Sequence, residues 1–546
     1  MNKRMKVFLG ALSLVPCTTP FTALPARGQE APVQRGAKVI YETRHDLSLP
    51  ARDMVTLSRQ QQREPGEHGL APLEPFGNPY SVLPGERDSA LQESEGPLVS
   101  TTNLLNFDGL TAPQSGANIP PDTNGSVGGA QFVQTVNTAY EVFDKATGAS
   151  LLGPAQLNTI FSGFGGVCEG GPSLKDPVVL FDKMASRWVV SFIASADQLQ
   201  TGLECVAVST GSDATSSYSR YSFSFGNNLG DYPKLGSWPD AYYLTVKEFS
   251  STGVLEGFPA CALDRTNMLA GKPATAQCFK LPHRPPDRPG VLLPSDFDGT
   301  IPPPWGQPNF LLSISPDAPG RQLKLFKFHV DFTNAAYSTF TGPTLVTVKP
   351  YNEACGGERT CIPQKGTSQK LDSLGDRLMF RLAYRNFGDH ESLVVNHSVD
   401  PGIPGIVAAV RWYEIRNPNA TPTVFQQGTF SSKTTNFWMG SIAMDKNGDI
   451  ALGFSASSSA RYPGIAYTGR VPTDPLGTME STKVVFAGGG SQVGGADANS
   501  WGDYSSMAVD PSDDCTFWYT TEYLKTTGNN PSWDTGIASF KFNSCQ

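Results

Sequence analysis

The sequence predicts an all-β protein, and three observations support this prediction. Gly and Pro supply 55 and 44 of the 546 residues, an excess that favours many turns and few long helices. From about Leu104 onward, short alternating or apolar strands recur between turns rich in Gly, Asp, Asn and Pro. No long amphipathic helix pattern accompanies them, which disfavours α/β folds. Because the strands recur in similar units, the more specific prediction is a β-propeller of seven blades.

The repeated unit is a small or apolar strand, an acidic turn and an aromatic strand. Residues 230–245 (GDYPKLGSWPDAYYLT) align with residues 502–520 (GDYSSMAVDPSDDCTFWYT), and residues 438–455 contain the hairpin signal Asn447-Gly448. Four more divergent segments also fit: residues 121–137, 175–192, 308–328 and 375–398. Seven units of roughly 50–75 residues have the spacing of propeller blades. The alternative is a set of β-sandwiches, which would separate into independently folding pieces.

The last unit is expected to be completed from both ends of the repeat region. The segment TGIASFKFNSC at residues 535–545 supplies a final strand. The segment TTNLLNFDGL at residues 101–110 is expected to pair with it and so to close the ring.

The N-terminus has the features of a secretory signal. A basic start at residues 1–6 precedes an apolar run at residues 7–15, and Ala26-Arg27-Gly28 places cleavage near Gly28. Cys17 offers the alternative of a lipid anchor. Residues 29–103 are rich in Pro, Gln, Glu and Arg, and are interpreted as a linker or pro-segment that is partly disordered. The β-propeller domain is assigned to residues 104–546, in a protein secreted to the periplasm or the extracellular space.

Charge and hydropathy exclude two classes of partner. Lys and Arg number 42 against 50 Asp and Glu, which gives a net charge of −8 and no basic stripe. Nucleic acid binding needs clustered cations, so nucleic acid is a poor partner. Beyond the N-terminus, no apolar run is long enough to span a bilayer.

The cysteines suit an oxidising compartment. Of the nine, Cys17 would leave with the signal, and the other eight form an even set. Sequence alone does not fix their connectivity, but local geometry favours neighbours pairing in order. The expected pairs are Cys168 with Cys205, Cys261 with Cys278, Cys355 with Cys361, and Cys515 with Cys545. No CxxC spacing indicates a metal site instead.

Acidic residues recur where the inner strand of each unit is expected to begin. In two units Met439 and Asn309 take this place, and in the other five it is an aspartate. If the ring closes, these side chains converge, and like carboxylates in contact need cations, a metal or a shared proton. The alternative is that each aspartate caps a turn by accepting backbone N–H bonds. The five aspartates are Asp122, Asp176, Asp231, Asp376 and Asp503.

Cationic, histidine and aromatic side chains are predicted near the same place, the mouth of the central channel that the ring would enclose. Arg381 and Arg385 share a strand face, and His390 beside Glu391 offers an acid–base pair. Salt bridging for the arginines and a solvated hairpin tip for His390 are the alternatives. The predicted cations also include Lys234 and Arg377. The aromatic rings expected to be exposed there, where they could stack on sugars, are Tyr232, Trp238, Trp438, Trp501 and Tyr504.

Two segments carry a resemblance to a known group of proteins. Residues 205–223 (CVAVSTGSDATSSYSRYSF) contain a strand, then Ser-x-x-Asp-like spacing around Asp213 and an aromatic residue. Residues 175–192 open with Asp-Pro, followed by an apolar strand and an aromatic one. In these features the chain resembles secreted bacterial β-propellers with sialidase-like or Asp-box-like repeats. The segment around Asp213 lacks the glycine and the tryptophan of a full Asp-box.

Two functions are consistent with these sequence features. The first is a glycan-directed hydrolase without a cofactor, in which Asp176, Asp231 and Asp503 supply one protonated and one ionised carboxyl group. The second is a non-enzymatic extracellular propeller that binds a glycan or a protein, with the acids structural or holding a calcium ion. In the first, Arg381 is the substrate clamp. The other predicted substrate-binding residues are Arg385, Tyr232, Tyr504, Trp438, His390 and Glu391.

Overall fold

A computed structural model describes ten stretches of the chain. They are residues 33–58, 87–94, 96–116, 118–196, 202–226, 228–282, 290–314, 321–494, 499–529 and 532–546. The predicted signal peptide, with Cys17 and the cleavage position, lies outside them, as does much of the predicted linker. In these stretches no helix has the length and apolar character needed to cross a membrane. The all-β prediction is confirmed, because strands dominate and the helices are short.

The strands of the described residues are numbered in chain order. The first fifteen are β1 (Val33–Arg35), β2 (Lys38–Leu47), β3 (Thr101–Thr111), β4 (Asn124–Val127), β5 (Gln131–Val136), β6 (Ala139–Asp144), β7 (Ser150–Gln156), β8 (Ser173–Asp182), β9 (Arg187–Ser195), β10 (Gly202–Ser209), β11 (Tyr218–Ser224), β12 (Leu229–Ser237), β13 (Tyr242–Phe249), β14 (Leu255–Leu263) and β15 (Thr275–Leu281). The next eleven are β16 (Leu293–Asp298), β17 (Asn309–Ile314), β18 (Gln322–His329), β19 (Thr339–Thr347), β20 (Asn352–Glu353), β21 (Thr360–Pro363), β22 (Lys370–Asp372), β23 (Met379–Asn386), β24 (Glu391–Asp400), β25 (Ala409–Arg416) and β26 (Thr423–Phe430). The last nine are β27 (Asn436–Met444), β28 (Ile450–Ser458), β29 (Arg461–Arg470), β30 (Lys483–Phe486), β31 (Gln492–Val493), β32 (Ser506–Val509), β33 (Thr516–Tyr523), β34 (Gly528–Asn529) and β35 (Asp534–Phe542).

The helices are short and lie between strands. The α-helices are α1 (Ala51–Ser58), α2 (Val167–Gly170) and α3 (Arg265–Leu269). Asp264 caps α3, because its side chain accepts a hydrogen bond from the backbone N–H of Asn267. The 3₁₀ segments are Ala112–Ser115, Leu157–Phe161, Ala335–Tyr337 and Ala354–Gly357.

Most strands fall into groups of four antiparallel neighbours. In strand order these groups are β4-β5-β6-β7, β8-β9-β10-β11, β12-β13-β14-β15, β16-β17-β18-β19, β23-β24-β25-β26, β27-β28-β29-β30 and β32-β33-β35-β3. Two groups are joined directly, since β16 pairs in parallel with β23. The predicted strand–turn–strand units correspond to the first two strands of six groups.

The first strands of these groups contact one another in cyclic order. Strand β4 contacts β8, and the series continues through β12, β16, β23, β27 and β32, which contacts β4 again. Side chains bridge the steps: Asn124 Oδ1 accepts from the backbone N–H of Val179 at 3.1 Å, and Ser506 Oγ donates to the carbonyl of Gly125 at 2.7 Å. The seven first strands therefore form a closed cycle.

The hydrophobic core is divided among the spaces between consecutive groups. Phe132 of β5 stacks on Trp518 of β33 with ring centroids 5.2 Å apart, and Tyr467 of β29 stacks on Phe540 of β35 at 3.7 Å. These side chains are almost completely buried. Burying one large apolar side chain contributes about 1.5–3 kcal/mol, so each interface between groups adds substantially to stability.

The N-terminal strands β1, β2 and β3 pair with strands of four of the groups. Strand β3 pairs with β35 in the register Phe107↔Ile537, which confirms the predicted pairing of the two ends of the repeat region. Strand β2 pairs with both β11 and β15, and β1 pairs with β19. Strands β1 and β2 lie in the predicted linker, where no strand was expected. They cover sheet edges that would otherwise present unpaired backbone groups.

The prediction that Asn309 begins an inner strand is wrong. Asn309 begins β17, the second strand of its group, and the first strand is β16. The sequence pattern does not indicate strand β16, because this strand carries two acidic residues and lacks a continuous apolar run. Asp296 and Asp298 are both buried in ion pairs with Arg381 of β23. A partner that is distant in sequence thus makes a polar segment suitable for an interior strand.

All four predicted disulfides are present. Two of them connect neighbouring strands or strand ends: Cys261 of β14 faces Cys278 of β15, and Cys515 before β33 is bonded to Cys545 after β35. The others join Cys168 of α2 to Cys205 of β10, and Cys355 to Cys361. Pairing in chain order succeeds because each pair joins neighbouring parts of one group or one loop.

Candidate functional site

The first strands begin with an unusual backbone conformation. Five non-glycine residues near these starts have positive φ angles between 51° and 60°; two come just before their strands and three are the fourth residue of theirs. This region is uncommon for residues with a Cβ atom, costs about 1–3 kcal/mol, and is enriched at functional sites. The five residues are Asp122, Asp176, Tyr232, Met439 and Asp503. The predicted register is therefore correct at four positions and wrong by one residue at Asp231, where Tyr232 is the equivalent residue.

Asp122 and Asp176 form a buried carboxyl pair. The two side chains are hydrogen-bonded to each other, and Asn137 Oδ1 accepts the backbone N–H of Asp176 at 2.9 Å. Asp176 Oδ2 accepts the backbone N–H of Tyr232 at 3.1 Å. Burial, together with the charges of Asp176 and Asp503, raises the pKa of Asp122 well above its ordinary value. Burial opposes ionisation of Asp176 as well, but the hydrogen bond from Asp122 and the charges of two lysines lower its pKa.

Asp503 is the third member of this cluster and is only half-buried. Burial raises its pKa to about 6, against the opposing charges of Arg377 and Arg359. Gly502, the residue before Asp503, is fixed by a hydrogen bond, because its backbone N–H donates to Glu522 Oε2 at 2.6 Å. Burial also raises the pKa of Glu522. Asp176 and Asp503 thus have pKa values shifted in opposite directions within one cluster.

A cation sits between two aromatic rings beside these acids. Lys234 Nζ lies 3.4 Å from the ring centroid of Tyr232 and 3.7 Å from that of Tyr504. Burial lowers the pKa of Lys234, although Asp176, Asp503 and Asp122 oppose the shift. The two rings are 5.2 Å apart. This arrangement crosses from the β12 group to the β32 group, whose first strands are not neighbours in the cycle.

The expected exposure of the aromatic residues is wrong. Tyr232 and Tyr504 keep 5% and 1% of their surface exposed, and Trp238, Trp438 and Trp501 are equally buried. Trp438 packs against Trp501 with centroids 5.9 Å apart. Four of these rings are covered because they lie at the crowded starts of the first strands, whereas Trp238 follows the end of β12 and packs against Tyr384 with centroids 4.6 Å apart. None of the five can stack on a sugar in this conformation.

Asp231 and Asp376 lie at the edge of the cluster and each has a cationic partner. Asp231 pairs with Lys175 at 3.4 Å, and Lys175 also interacts with Asp176 and Asp122. Asp376 receives two hydrogen bonds from Arg377, at 2.7 and 2.8 Å. The guanidinium carbon of Arg377 lies 4.7 Å from the ring centroid of Tyr232. The structure thus brings all five predicted aspartates into one neighbourhood.

Arg381 and Arg385 belong to a different group of charges. Arg381 pairs with Asp296 at 2.8 Å and Asp298 at 2.5 Å. Arg385 forms two hydrogen bonds with Asp514, at 2.7 and 2.6 Å. Both guanidinium groups are buried in these ion pairs. The structure does not bring them together with Asp176, because their partners lie near the ends of the first strands.

His390 lies on the turn after β23 and Glu391 begins β24, also at the ends of the first strands. His390 Nδ1 is 2.7 Å from Asp389 Oδ1, and the imidazole stacks on Phe387 with centroids 4.7 Å apart. Glu391 accepts hydrogen bonds from Tyr384 and Gln307. The predicted substrate-binding residues are therefore divided between the two ends of the first strands.

One metal-like grouping occurs among the described residues, and it does not suit a metal. A carboxylate oxygen of Asp445 and the sulfur atoms of Cys515 and Cys545 lie within 4.8 Å of one another. The two cysteines form a disulfide, so they offer no thiolate. Calcium binding by the acids stays a prediction.

Sequence reasoning missed three polar residues of the acidic cluster. Lys247 on β13, Glu522 on β33 and Asn137 after β5 are all buried there. Burial and the charge of Arg377 lower the pKa of Lys247 to about 8. A charged residue inside an aromatic strand, as in TFWYTTEY, is the signal that could have identified Lys247 and Glu522. Asn137 gives no such signal.

Comparisons with known proteins give likenesses of structure but not of sequence. No protein-family model matches the chain, and no curated protein matches it. An endosialidase of phage phi92 is similar over 82% of this chain and 70% of its own, at 9% identity and a TM-score of 0.39. An α-L-arabinanase of Penicillium chrysogenum is similar over 82% of this chain and 100% of its own, at 9% identity and a TM-score of 0.35. The Dos1 propeller is similar over 81% and 95%, at 9% identity and a TM-score of 0.31. The predicted resemblance to sialidase-like propellers is confirmed as a loose likeness of fold.

Proposed function

We propose that the chain is a secreted seven-bladed β-propeller that hydrolyses a glycan at the cluster of Asp176 and Asp503. The closed cycle of first strands and the pairing of β3 with β35 support the propeller. Four disulfides support an oxidising, extracellular location. The residues 1–28 would supply the export signal.

One observation carries the hydrolase proposal: neighbouring carboxyl groups whose pKa values are shifted apart. Glycoside hydrolysis needs one carboxyl group that donates a proton and one that is ionised. Asp503, with its pKa raised to about 6, would be the general acid. Asp176, with its pKa lowered, would be the base or nucleophile. Asp122 would position Asp176 through their shared hydrogen bond, and half-buried Asp231 would contact the substrate at the edge.

The test is turnover of a panel of polysaccharides and oligosaccharides by the intact protein. Asp503→Asn and Asp176→Asn should each lower kcat at least about 100-fold, since general acid–base catalysis contributes about that much. The matched control is Asp53→Asn, an exposed aspartate on α1. In the wild-type protein, activity should fall as the pH rises above about 6, because Asp503 loses its proton. Failure of the intact protein to cleave any glycan in the panel would contradict the proposal.

A second function is favoured because several of the same acids already have bonding partners within the protein. Asp376 has Arg377, Asp231 has Lys175, and Asp176 has the backbone of Tyr232 as partner. Such pairing suits a non-enzymatic propeller that binds a glycan or protein and uses its acids to hold strand starts together. In that case the same Asn variants would lower thermal stability and leave the profile on a glycan array unchanged.

A further inference from the structure

The opposite ends of the first strands enclose a second charged cluster. Lys183 follows β8 and pairs with Asp298 at the end of β16. Arg385, near the end of β23, pairs with Asp514 in the loop after β32. Strands β16 and β23 are parallel, so their ends lie on the same side. This cluster therefore lies at the end of the strand cycle opposite to Asp176.

A cavity of about 380 Å³ opens beside this cluster. Its size falls in the lower part of the range of small-molecule sites, about 300–1,000 Å³. Its walls come from the segments after β8, β16 and β32, three strands that are not neighbours in the cycle, so the cavity lies where the interior of the cycle opens. Lining residues include Lys183, Met184, Phe297, Thr300, Pro302 and Asp514.

The charges around the cavity balance. Three cations, Lys183, Arg381 and Arg385, meet three acids, Asp296, Asp298 and Asp514. Burial and the charge of Arg381 lower the pKa of Lys183 to about 7, so the charges balance while this amine is protonated, and the cluster becomes negative at higher pH. A balanced site exerts little attraction on an ionic ligand. It still offers an amine that can donate and a carboxylate that can accept, between apolar walls.

The loop that forms one wall of the cavity also carries an exposed indole. Trp305 is completely exposed and lies in the loop that follows β16, the loop that also supplies Thr300 and Pro302 to the cavity. This loop is anchored, because Asn386 Nδ2 donates to the carbonyl of Pro302 at 2.8 Å. Ile301 is also exposed at 45%. An aromatic face on a loop that also lines a cavity with donors and acceptors suits a molecule with hydroxyl groups on its edges and C–H groups on its faces.

We propose that the cavity at the ends of the first strands is a second ligand site, which takes a neutral sugar residue against Lys183, Asp514 and Trp305. Hydroxyl groups would donate to Asp514 and accept from Lys183, while Trp305 covers a face of the next sugar in a chain. This site is separate from the proposed hydrolytic centre and does not depend on it.

The experiment is ligand-observed NMR and calorimetric titration with glucose, galactose, arabinose, cellobiose and lactose, with glucuronate as the anionic comparison. We expect binding of at least one neutral sugar. Trp305→Ala should weaken binding of the disaccharide about five-fold, as expected for loss of one stacking contact. Thr300→Trp, at an exposed position of the lining, should abolish binding by filling the cavity. Tyr337→Ala, which removes another exposed ring, is the matched control and should change nothing.

The outcomes separate this proposal from the hydrolytic one. Asp176→Asn and Asp503→Asn should retain sugar binding at the cavity even if they lose turnover. Binding of glucuronate alone, no binding of any neutral sugar, or equal affinities in wild type and Thr300→Trp would each overturn the proposal.

Discussion

Asp176 and Asp503 carry the same side chain in the same cluster, and their surroundings separate their pKa values. The carboxylate of Asp176 accepts a hydrogen bond from Asp122 and one from the backbone, and faces two lysines, which together outweigh its burial. For Asp503, burial dominates, although Arg377 and Arg359 oppose it. A carboxyl group whose pKa is raised in the folded state is a cost to the folded chain at neutral pH, and such costs are typical of groups kept for chemistry.

The stability of Asp503→Asn should therefore depend on pH. Because the folded-state pKa of Asp503 is raised to about 6 from 3.8, the stabilising contribution of its protonated form is complete below the unfolded-state value and is lost as the pH rises through 6. The free energy of unfolding of the variant, relative to wild type, should rise by about 2 kcal/mol between pH 4 and pH 7. Urea titrations at the two pH values measure this difference.

Asp376→Asn is the matched comparison, with the opposite sign. The Arg377 guanidinium lowers the pKa of Asp376 despite its burial, so its contribution to stability is present above the unfolded-state pKa and lost as the pH falls. This variant should lose more stability at pH 7 than at low pH. If Asp503→Asn costs the same at pH 4 and pH 7, Asp503 only caps a turn.

At the scale of elements, the sequence predicts what local patterns determine. The turn Asn447-Gly448 and the alternation around it place β27 and β28 correctly, because hairpins depend on neighbouring residues. Strand β16 is missed because its acids are neutralised by Arg381, a residue of another group. Asp231 is assigned the place of Tyr232, since Gly-Asp-Tyr occurs in two units and does not reveal which residue takes the positive φ angle.

For the candidate site too, some features follow from local sequence patterns and others depend on distant residues. The convergence of the five aspartates follows from the repeat, because equivalent positions of repeated units meet at one end of a closed cycle. The positions of Arg381 and His390 could not be predicted, since the end of a strand at which a side chain lies depends on the length and direction of that strand. The burial of Tyr232 and Tyr504 depends on side chains of other groups, which no local pattern records.

The disulfides allow a prediction about one element, the last sheet. Cys515 and Cys545 are 30 residues apart and tie the start of β33 to the end of β35, whereas Cys355 and Cys361 are 6 apart. In the chain-entropy account, removing the first disulfide costs about 3.5 kcal/mol and removing the second about 2 kcal/mol. Denaturant unfolding of Cys515→Ser/Cys545→Ser and Cys355→Ser/Cys361→Ser tests this order. The reverse order would show that the last sheet does not depend on its staple.

At the scale of the whole molecule, the charged and aromatic side chains meet across the cycle rather than only between neighbours. Tyr232 faces Tyr504, Lys183 pairs with Asp298, and Arg385 pairs with Asp514. Each contact joins groups whose first strands are not adjacent. These contacts bridge the interior of the cycle, so we expect the acidic cluster and the cavity to depend on its closure by β3.

If the cycle of strand groups is closed, the protein should unfold differently from a set of independent sandwiches. Phe107 of β3 belongs to the last group, yet its ring lies 5.3 Å from that of Phe143 on β6 of the first group. Phe107→Ala should therefore lower the midpoint of a single unfolding transition for the whole domain, at a cost of about 1–3 kcal/mol. Calorimetry and limited proteolysis measure this, with Phe425→Ala on the outer strand β26 as the matched control that leaves the midpoint nearly unchanged. If the domains were separate, Phe107→Ala would destabilise only one fragment, and proteolysis would leave the remaining groups folded, because nothing would couple the first group to the last.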